Sequence, residues 1–216
     1  MTSKAVSIWL PQVIIESILI VVSILVALGL DSWRQTREDE QFVRTALSNF
    51  LIEIQQNQNR IADAAPFNKG LHLVLGQHYV VDDVDSVDEY VGMVESYSPA
   101  VLQSTAWDTA LATGSLANME YNLVTALSLT YSLQDRYDNA IRSGMSDLTS
   151  PQYLSDDKLK LALYNSTRFL EDVTGIEAEL GVTYVEAARV VRSALVKLDP
   201  AANITEEPLA DDLAHP

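Results

Sequence analysis

Cysteine is absent from this chain of 216 residues, which removes disulfides, thiolate nucleophiles and cysteine-held metals together. Basic residues are scarce: 14 Lys and Arg stand against 30 Asp and Glu, a formal net charge of −16. Nucleic acid needs a basic patch for its phosphates, so it is not an expected partner. An anionic membrane surface repels such a chain for the same reason. Glycine is also rare, with eight residues in all, and neither a glycine-rich phosphate loop nor a G-x-S-x-G nucleophile elbow occurs.

Metal-binding signals are equally thin. The histidines are His72, His78 and His215. His72 and His78 lie six apart, whereas helical neighbours lie three or four apart, and a metal site needs more ligands in defined geometry. The acidic run Asp82, Asp83, Asp85, Asp88 and Glu89 lacks the central glycine and the spacing of a calcium loop. It reads instead as a solvated loop entering a helix, with Ser86 and Glu89 as a capping box. No catalytic residue, cofactor-binding residue or metal ligand is assigned, and the expectation is a protein that is not an enzyme and carries no cofactor.

What the chain does have is a long apolar run. From Ile8 to Leu30 the only interruptions are Pro11, Gln12, Glu16, Ser17, Ser23 and Gly29, and about 20 such residues suffice for one helical crossing of a bilayer. A cleavable signal peptide would have an apolar region of about 7–15 residues and an A-x-A-like site. "SILVALGLDSW" has none, so a retained single-pass anchor is expected over residues 1–31. Trp9, Trp33 and Arg34 flank it as interfacial anchors. Lys4 and Glu16 cancel, so the net charge of −16 lies wholly in residues 31–216.

The rest reads as helix. Val43, Leu47, Phe50, Leu51, Ile54 and Ile61 recur at helical spacing. No glycine or proline separates Leu30 from Ala65, so the anchor helix is expected to run into the soluble domain as one rod, ending at Pro66. Ser98-Pro99 and Ser150-Pro151 read as helix starts. Leu116, Met119, Leu123, Leu127, Thr130, Gln134, Tyr137 and Ile141 mark a further helix. Leu159, Leu163, Ser166, Leu170, Val173, Glu177, Leu180, Tyr184, Ala187, Val191, Ala194 and Leu198 step by four and three without a skip, the pattern of coiled-coil-like packing. The predicted fold is all-α: one N-terminal transmembrane helix continuing into an acidic helical-bundle domain, residues 32–198, with a coiled-coil-like C-terminal helix. The proline-bearing acidic tail, residues 199–216, lacks an apolar period and is expected to be disordered.

Within the anchor, steps of four and three from Glu16 reach Ile20, Ser23 and Ala27. This stripe gathers the acid and the small residues, while Ile14, Ile18, Val21, Val22 and Leu25 among others are left for lipid. Ser23-x-x-x-Ala27 permits close helix approach, and a membrane carboxylate costs a few kcal/mol unless it is paired, hydrated or protonated. Two readings stand: Glu16 reaches the headgroups, or the stripe contacts another transmembrane helix.

The stretch "IIESILIVVSILVALGLDSWRQTREDEQFVRTALSNFLIEIQQNQNRI" resembles the start of a widespread group of bacterial single-pass membrane proteins of no assigned function. The likeness rests on Glu16, Ala27-Leu28, Ser32-Trp33, the run Arg34 to Glu40, and a helix ending at Asn57 or Asn59. A second likeness, in "TAWDTALATGSLANMEYNLVTALSLTYSLQDRYDNAI", rests on Trp107, Leu111, Gly114, Leu116, Leu127 and Tyr131. The resemblance implies a bacterial inner-membrane protein with its soluble domain on the periplasmic side. Cation counting points the other way, since Arg34, Arg37 and Arg44 follow the span and Lys4 precedes it. The expected function is a non-catalytic accessory or scaffolding subunit, with the lipid bilayer and another transmembrane helix as partners, in a homo-oligomer or a membrane complex. The alternative is a ligand-binding sensor with a pocket between bundle helices, which convergent polar groups near Trp107 and Tyr131 would favour.

Overall fold

α1 runs from Val6 to Val81 without interruption, 76 residues, or about 110 Å at roughly 1.5 Å per residue. The structure is a computed structural model that describes residues 6–148, 150 and 154–199, with side chains from residue 14 onward apart from 147. α2 (Val87–Val94), α3 (Thr105–Thr113), α4 (Tyr121–Leu148) and α5 (Leu159–Leu198) follow, with single 3₁₀ turns at Ser115–Asn118 and Asp156–Lys158. The fold is all-α, with no strand among the described residues. The tail from 200 onward, His215, Pro151 and the side chain of Trp9 lie outside what is described.

The expected rod is present, and it is longer than the sequence pattern indicated. Across the junction between the apolar and acidic parts, Arg34 pairs with Glu38 at 2.8 Å and the Arg37 guanidinium lies 5.4 Å from the Trp33 ring centre. Both contacts follow the turn-to-turn spacing that supports an exposed helix. Pro66 does not end the helix, and neither does Asn57 or Asn59. Proline removes the N–H that would bond the carbonyl four residues earlier, here Ala62. Ala62 and Pro66 both lie on the exposed side, where water can take up that carbonyl. The buried face continues past the proline through Asn68, Leu71 and Leu75, and its packing holds the helix together.

α1, α4 and α5 form the bundle. Arg44 meets Asp199 at one end of the α1–α5 seam and Asp82 meets Lys160 at the other, so these helices are antiparallel. Glu120 with Lys197 and Arg136 with Glu179 set α4 antiparallel to α5 as well. Of the twelve heptad positions expected on α5, only Ala194 and Leu198 are not buried. Leu123, Leu127, Thr130, Gln134 and Tyr137 form the buried stripe of α4. Leu116 precedes that helix, in the first 3₁₀ turn.

Two apolar clusters fill the interior. The larger lies towards the apolar segment and includes Leu47, Phe50, Ile54, Leu127, Tyr137, Leu180 and Tyr184. The other, at the far end, includes Leu75, Tyr90, Tyr97, Leu163 and Leu170. The acidic loop does lead into a capped helix: Ser86 Oγ accepts from the Glu89 N–H. The Glu89 carboxylate reaches the Asp85 N–H rather than that of Ser86. Asp82 closes α1 at φ 61°, a left-handed conformation that aspartate tolerates better than most residues.

Pro99 starts no helix. Residues 97–104 are non-helical and carry the chain back along α1 before α3 begins at Thr105. The reason lies in the polar side chains of α1 and α4, which bind this segment's backbone.

Gly144 on α4 sits against α5, where an added Cβ would overlap the Phe169 ring, whereas Gly175 faces open space. In urea unfolding, Gly144→Ala should cost about 1–3 kcal/mol through overpacking, and Gly175→Ala should stabilise by about 0.5–1 kcal/mol as helical glycine is relieved. Leu180, fully buried in the larger cluster, should cost about 2–5 kcal/mol on replacement by alanine.

Candidate functional site

The crossing segment, residues 97–104, is a non-helical chain laid on a helical bundle. Its ends bond the neighbouring helices, the Tyr97 N–H to the Val94 carbonyl and the Asp108 N–H to the Ser104 carbonyl. The backbone polar groups between them have no helix or sheet to pair with. One face of α1 supplies the partners. Glu53, Asn57 and Arg60 step by four and three, and they meet the backbone at Ala106, Gln103 and Val101 in turn. The Ala106 N–H donates to Glu53 at 2.9 Å. The Asn57 side chain accepts from the Gln103 N–H at 2.9 Å and donates to the Gln103 carbonyl at 2.7 Å. Arg60 donates to the Val101 carbonyl at 2.8 Å.

α4 and α5 complete the set. Gln134 donates to the same Gln103 carbonyl at 2.9 Å, and its oxygen accepts from Asn57 at 3.1 Å and from the Tyr184 hydroxyl at 2.9 Å. The Tyr137 hydroxyl accepts from the Ala100 N–H at 3.0 Å and donates to Glu177 at 3.1 Å. The Tyr131 hydroxyl donates to Glu53 at 2.7 Å. Burial, reinforced by that bond, pushes the Tyr131 phenol well above its ordinary range, so it remains a protonated donor. Trp107 stacks on Tyr131 with ring centres 5.3 Å apart, and Phe50 packs against both.

Polar groups therefore do converge near Trp107 and Tyr131, but the chain's own backbone occupies them. A cleft lies beside this network and shares Arg60 and Gln103 with it. It is shallow, about 620 Å³, and is lined by Arg60, Asp63, Phe67 and the outer edge of residues 98–103.

The anchor face is as the spacing requires. Glu16, Ile20, Ser23 and Ala27 share one side of α1, and all four are exposed. The Ser23 hydroxyl donates to the Leu19 carbonyl of its own helix at 2.6 Å, so its proton is already used. Trp33 and Glu16, seventeen residues apart, lie about 25 Å apart along the axis. The hydrocarbon core measures about 30 Å, so if Trp33 marks one interface Glu16 lies close to the other. The segment's most apolar window has mean hydropathy 2.4 and no buried share; by length and composition it is compatible with a single membrane crossing.

The two described histidines each have a partner: His72 Nδ1 lies 3.2 Å from the Thr167 carbonyl on α5 and His78 Nδ1 2.7 Å from Asp83. Among the described residues no group of three or more His, Asp or Glu is arranged to hold a metal. Glu53 and Asn68 were missed by the sequence pattern, and Asn57 was noted only as a helix end. Their signal was present, because each sits at a stripe position of α1 where an apolar residue is expected.

The fold and its sites define a class: an all-α bundle built on a helix long and apolar enough to cross a membrane. No family model, no curated protein and no solved structure matches the chain.

Asn57→Ala strips two bonds from the Gln103 backbone in a buried place and should cost about 1–3 kcal/mol. Hydrogen exchange should report faster exchange at the Gln103 amide, with little change for Asn59→Ala on the exposed side. Equal protection at Gln103 in both variants would mean that the crossing segment does not depend on Asn57.

Proposed function

We propose that this chain is a membrane-anchored, non-catalytic accessory or scaffolding subunit, held in a bacterial inner membrane by residues 1–31 and binding protein partners through its transmembrane and bundle helices. The observation that carries this reading is the continuity of α1, which bears the exposed apolar segment and one wall of the bundle core on a single helix. Such a rod fixes the bundle at a set distance from the bilayer. It also transmits the register of a partner helix in the membrane directly to the bundle. The core lends further support, because Glu53, Asn57, Gln134 and Tyr137 bond the chain's own backbone between residues 100 and 106. The resemblance of the N-terminal stretch to bacterial single-pass proteins is the ground for the inner membrane and for placing the bundle on the periplasmic side.

The partner surface in the membrane is the face of Glu16, Ile20, Ser23 and Ala27, which meets another transmembrane helix, either a second copy or a different subunit. Trp9, Trp33 and Arg34 anchor the ends of the span. The sensor reading retains one supporting observation, the open cleft beside Arg60 and Phe67, whose volume falls in the range of small-molecule sites.

Pull-down in mild detergent separates these readings. Glu16→Leu and Ala27→Leu should each weaken recovery of the partner by about 1–2 kcal/mol of helix–helix affinity, with membrane levels unchanged. Leu25→Ala, two and a half helical turns from Glu16 and so on the opposite face, should have little effect. If all three variants recover the partner equally, Glu16 only reaches for the headgroups and the contact face is wrong. A small molecule that raises the melting temperature of the wild type but not of Arg60→Ala would favour the sensor.

A further inference from the structure

Among the described residues two carboxylates are buried in the bundle, and they are treated differently. Glu53 has a donor on each oxygen, Tyr131 on one and the Ala106 N–H on the other. Glu177, 1% exposed, has both its donors on a single oxygen: Asn68 at 2.7 Å and Tyr137 at 3.1 Å. Its second oxygen, Oε2, has no protein partner, and the same is true of Asn68 Oδ1 and the Tyr97 hydroxyl. The three side chains are neighbours. Asn68 is bonded to Glu177, and the Glu177 charge acts on Tyr97 and on Tyr137, the phenol that bonds it. They come from three different parts of the chain: α1, the start of the crossing segment, and α5. The position lies at the waist of the bundle, past Ile61 towards Leu71 on α1 and one turn beyond Val173 on α5, where the larger cluster gives way to the smaller.

We propose that the waist is a binding site for one internal water, which donates to Glu177 Oε2 and Asn68 Oδ1 and accepts from the Tyr97 hydroxyl. The polarity of the site selects this occupant. Asn68 is oriented by its N–H bond to Glu177, so its oxygen can only accept. Ionised Glu177 can only accept, and Tyr97 has a proton to give. Two acceptors and one donor complement the two protons and the lone pairs of a water, and buried waters typically make about three such bonds.

The rival occupants fit less well. A proton on Oε2 could at best meet Asn68 Oδ1, and the buried Tyr97 hydroxyl would still have no partner. A calcium-like cation seeks about six to eight oxygens, and three are free. Burial pushes the Glu177 carboxyl up, while the bonds from Asn68 and Tyr137 pull it down. A donating water adds to the second influence and favours the ionised form.

The test is a high-resolution structure of the full chain in lipid or mild detergent, together with infrared spectra of the wild type and Glu177→Gln at neutral pH. The expected result is one solvent peak with three oxygen neighbours at roughly 2.6–3.2 Å, and no carboxylic-acid band that disappears in Glu177→Gln. Tyr97→Phe, which keeps the ring packed against Phe169, should weaken or abolish the peak. A carboxylic-acid band lost in Glu177→Gln would overturn the proposal in favour of a protonated carboxyl. A peak with six or more oxygens at about 2.3–2.6 Å would overturn it in favour of a cation. Direct contact among the three side chains with no peak would overturn it outright.

Discussion

The amide of Asn57, buried and bonded to both the N–H and the carbonyl of Gln103, addresses a difficulty that this topology creates. The chain climbs away from the apolar segment along α1 and must return before α4 can climb again. Its return path is a non-helical segment pressed against the bundle, and backbone groups pressed there lose water. Glu53, Asn57 and Arg60 of α1, with Gln134 and Tyr137 of α4, replace that water one bond at a time. The same residues join α1, α4 and α5 to each other, so the connection and the core are specified together. Removing one partner exposes the asymmetry of buried hydrogen bonds: the group left behind bears the desolvation cost.

That arrangement bears on function through what it leaves available. Most inward polar groups near Trp107 bond the chain itself, whereas the apolar segment is exposed from residue 14 onward. Beyond it, Phe67, Leu73, Val74, Val80 and Val81 leave apolar side chains exposed on α1. An exposed apolar surface of that kind is compatible with contacts to other proteins or to lipid. The surface ion pairs, such as Lys160 with Asp82 and Lys197 with Glu120, are exposed on both sides and contribute little stability. They sit at opposite ends of α5 and are consistent with its antiparallel register.

Much of the fold was legible in the sequence, because helical bundles write their buried faces as a three-and-four rhythm. The α5 pattern named Ser166 and Glu177 as buried positions although neither is apolar, and both are buried. The rhythm said nothing of what those polar groups bond. Pro66 was misread for a physical reason. A proline's local cost is fixed, but the packing of Asn68, Leu71 and Leu75 beyond it is a long-range gain that no local rule contains. Ser98-Pro99 failed similarly, since a good helix start loses to a set of side chains some 40 residues earlier in the chain that hold the backbone in a non-helical path. In the anchor, spacing alone placed Glu16, Ile20, Ser23 and Ala27 on one face. It could not reveal that the Ser23 hydroxyl bonds its own helix.

The central claim is that one rigid helix couples the apolar segment to the bundle, and the absence of cysteine makes it directly measurable. Leu30 and Leu73 are exposed, at 61% and 62%, so each can be replaced by cysteine and spin-labelled in the full chain in lipid. Pulsed dipolar spectroscopy should then give one narrow distance distribution centred at about 64 Å, the length of 43 residues at roughly 1.5 Å each. A broad distribution, or one centred well below that value, would mean that α1 bends or breaks between the apolar segment and the bundle, and would contradict the account.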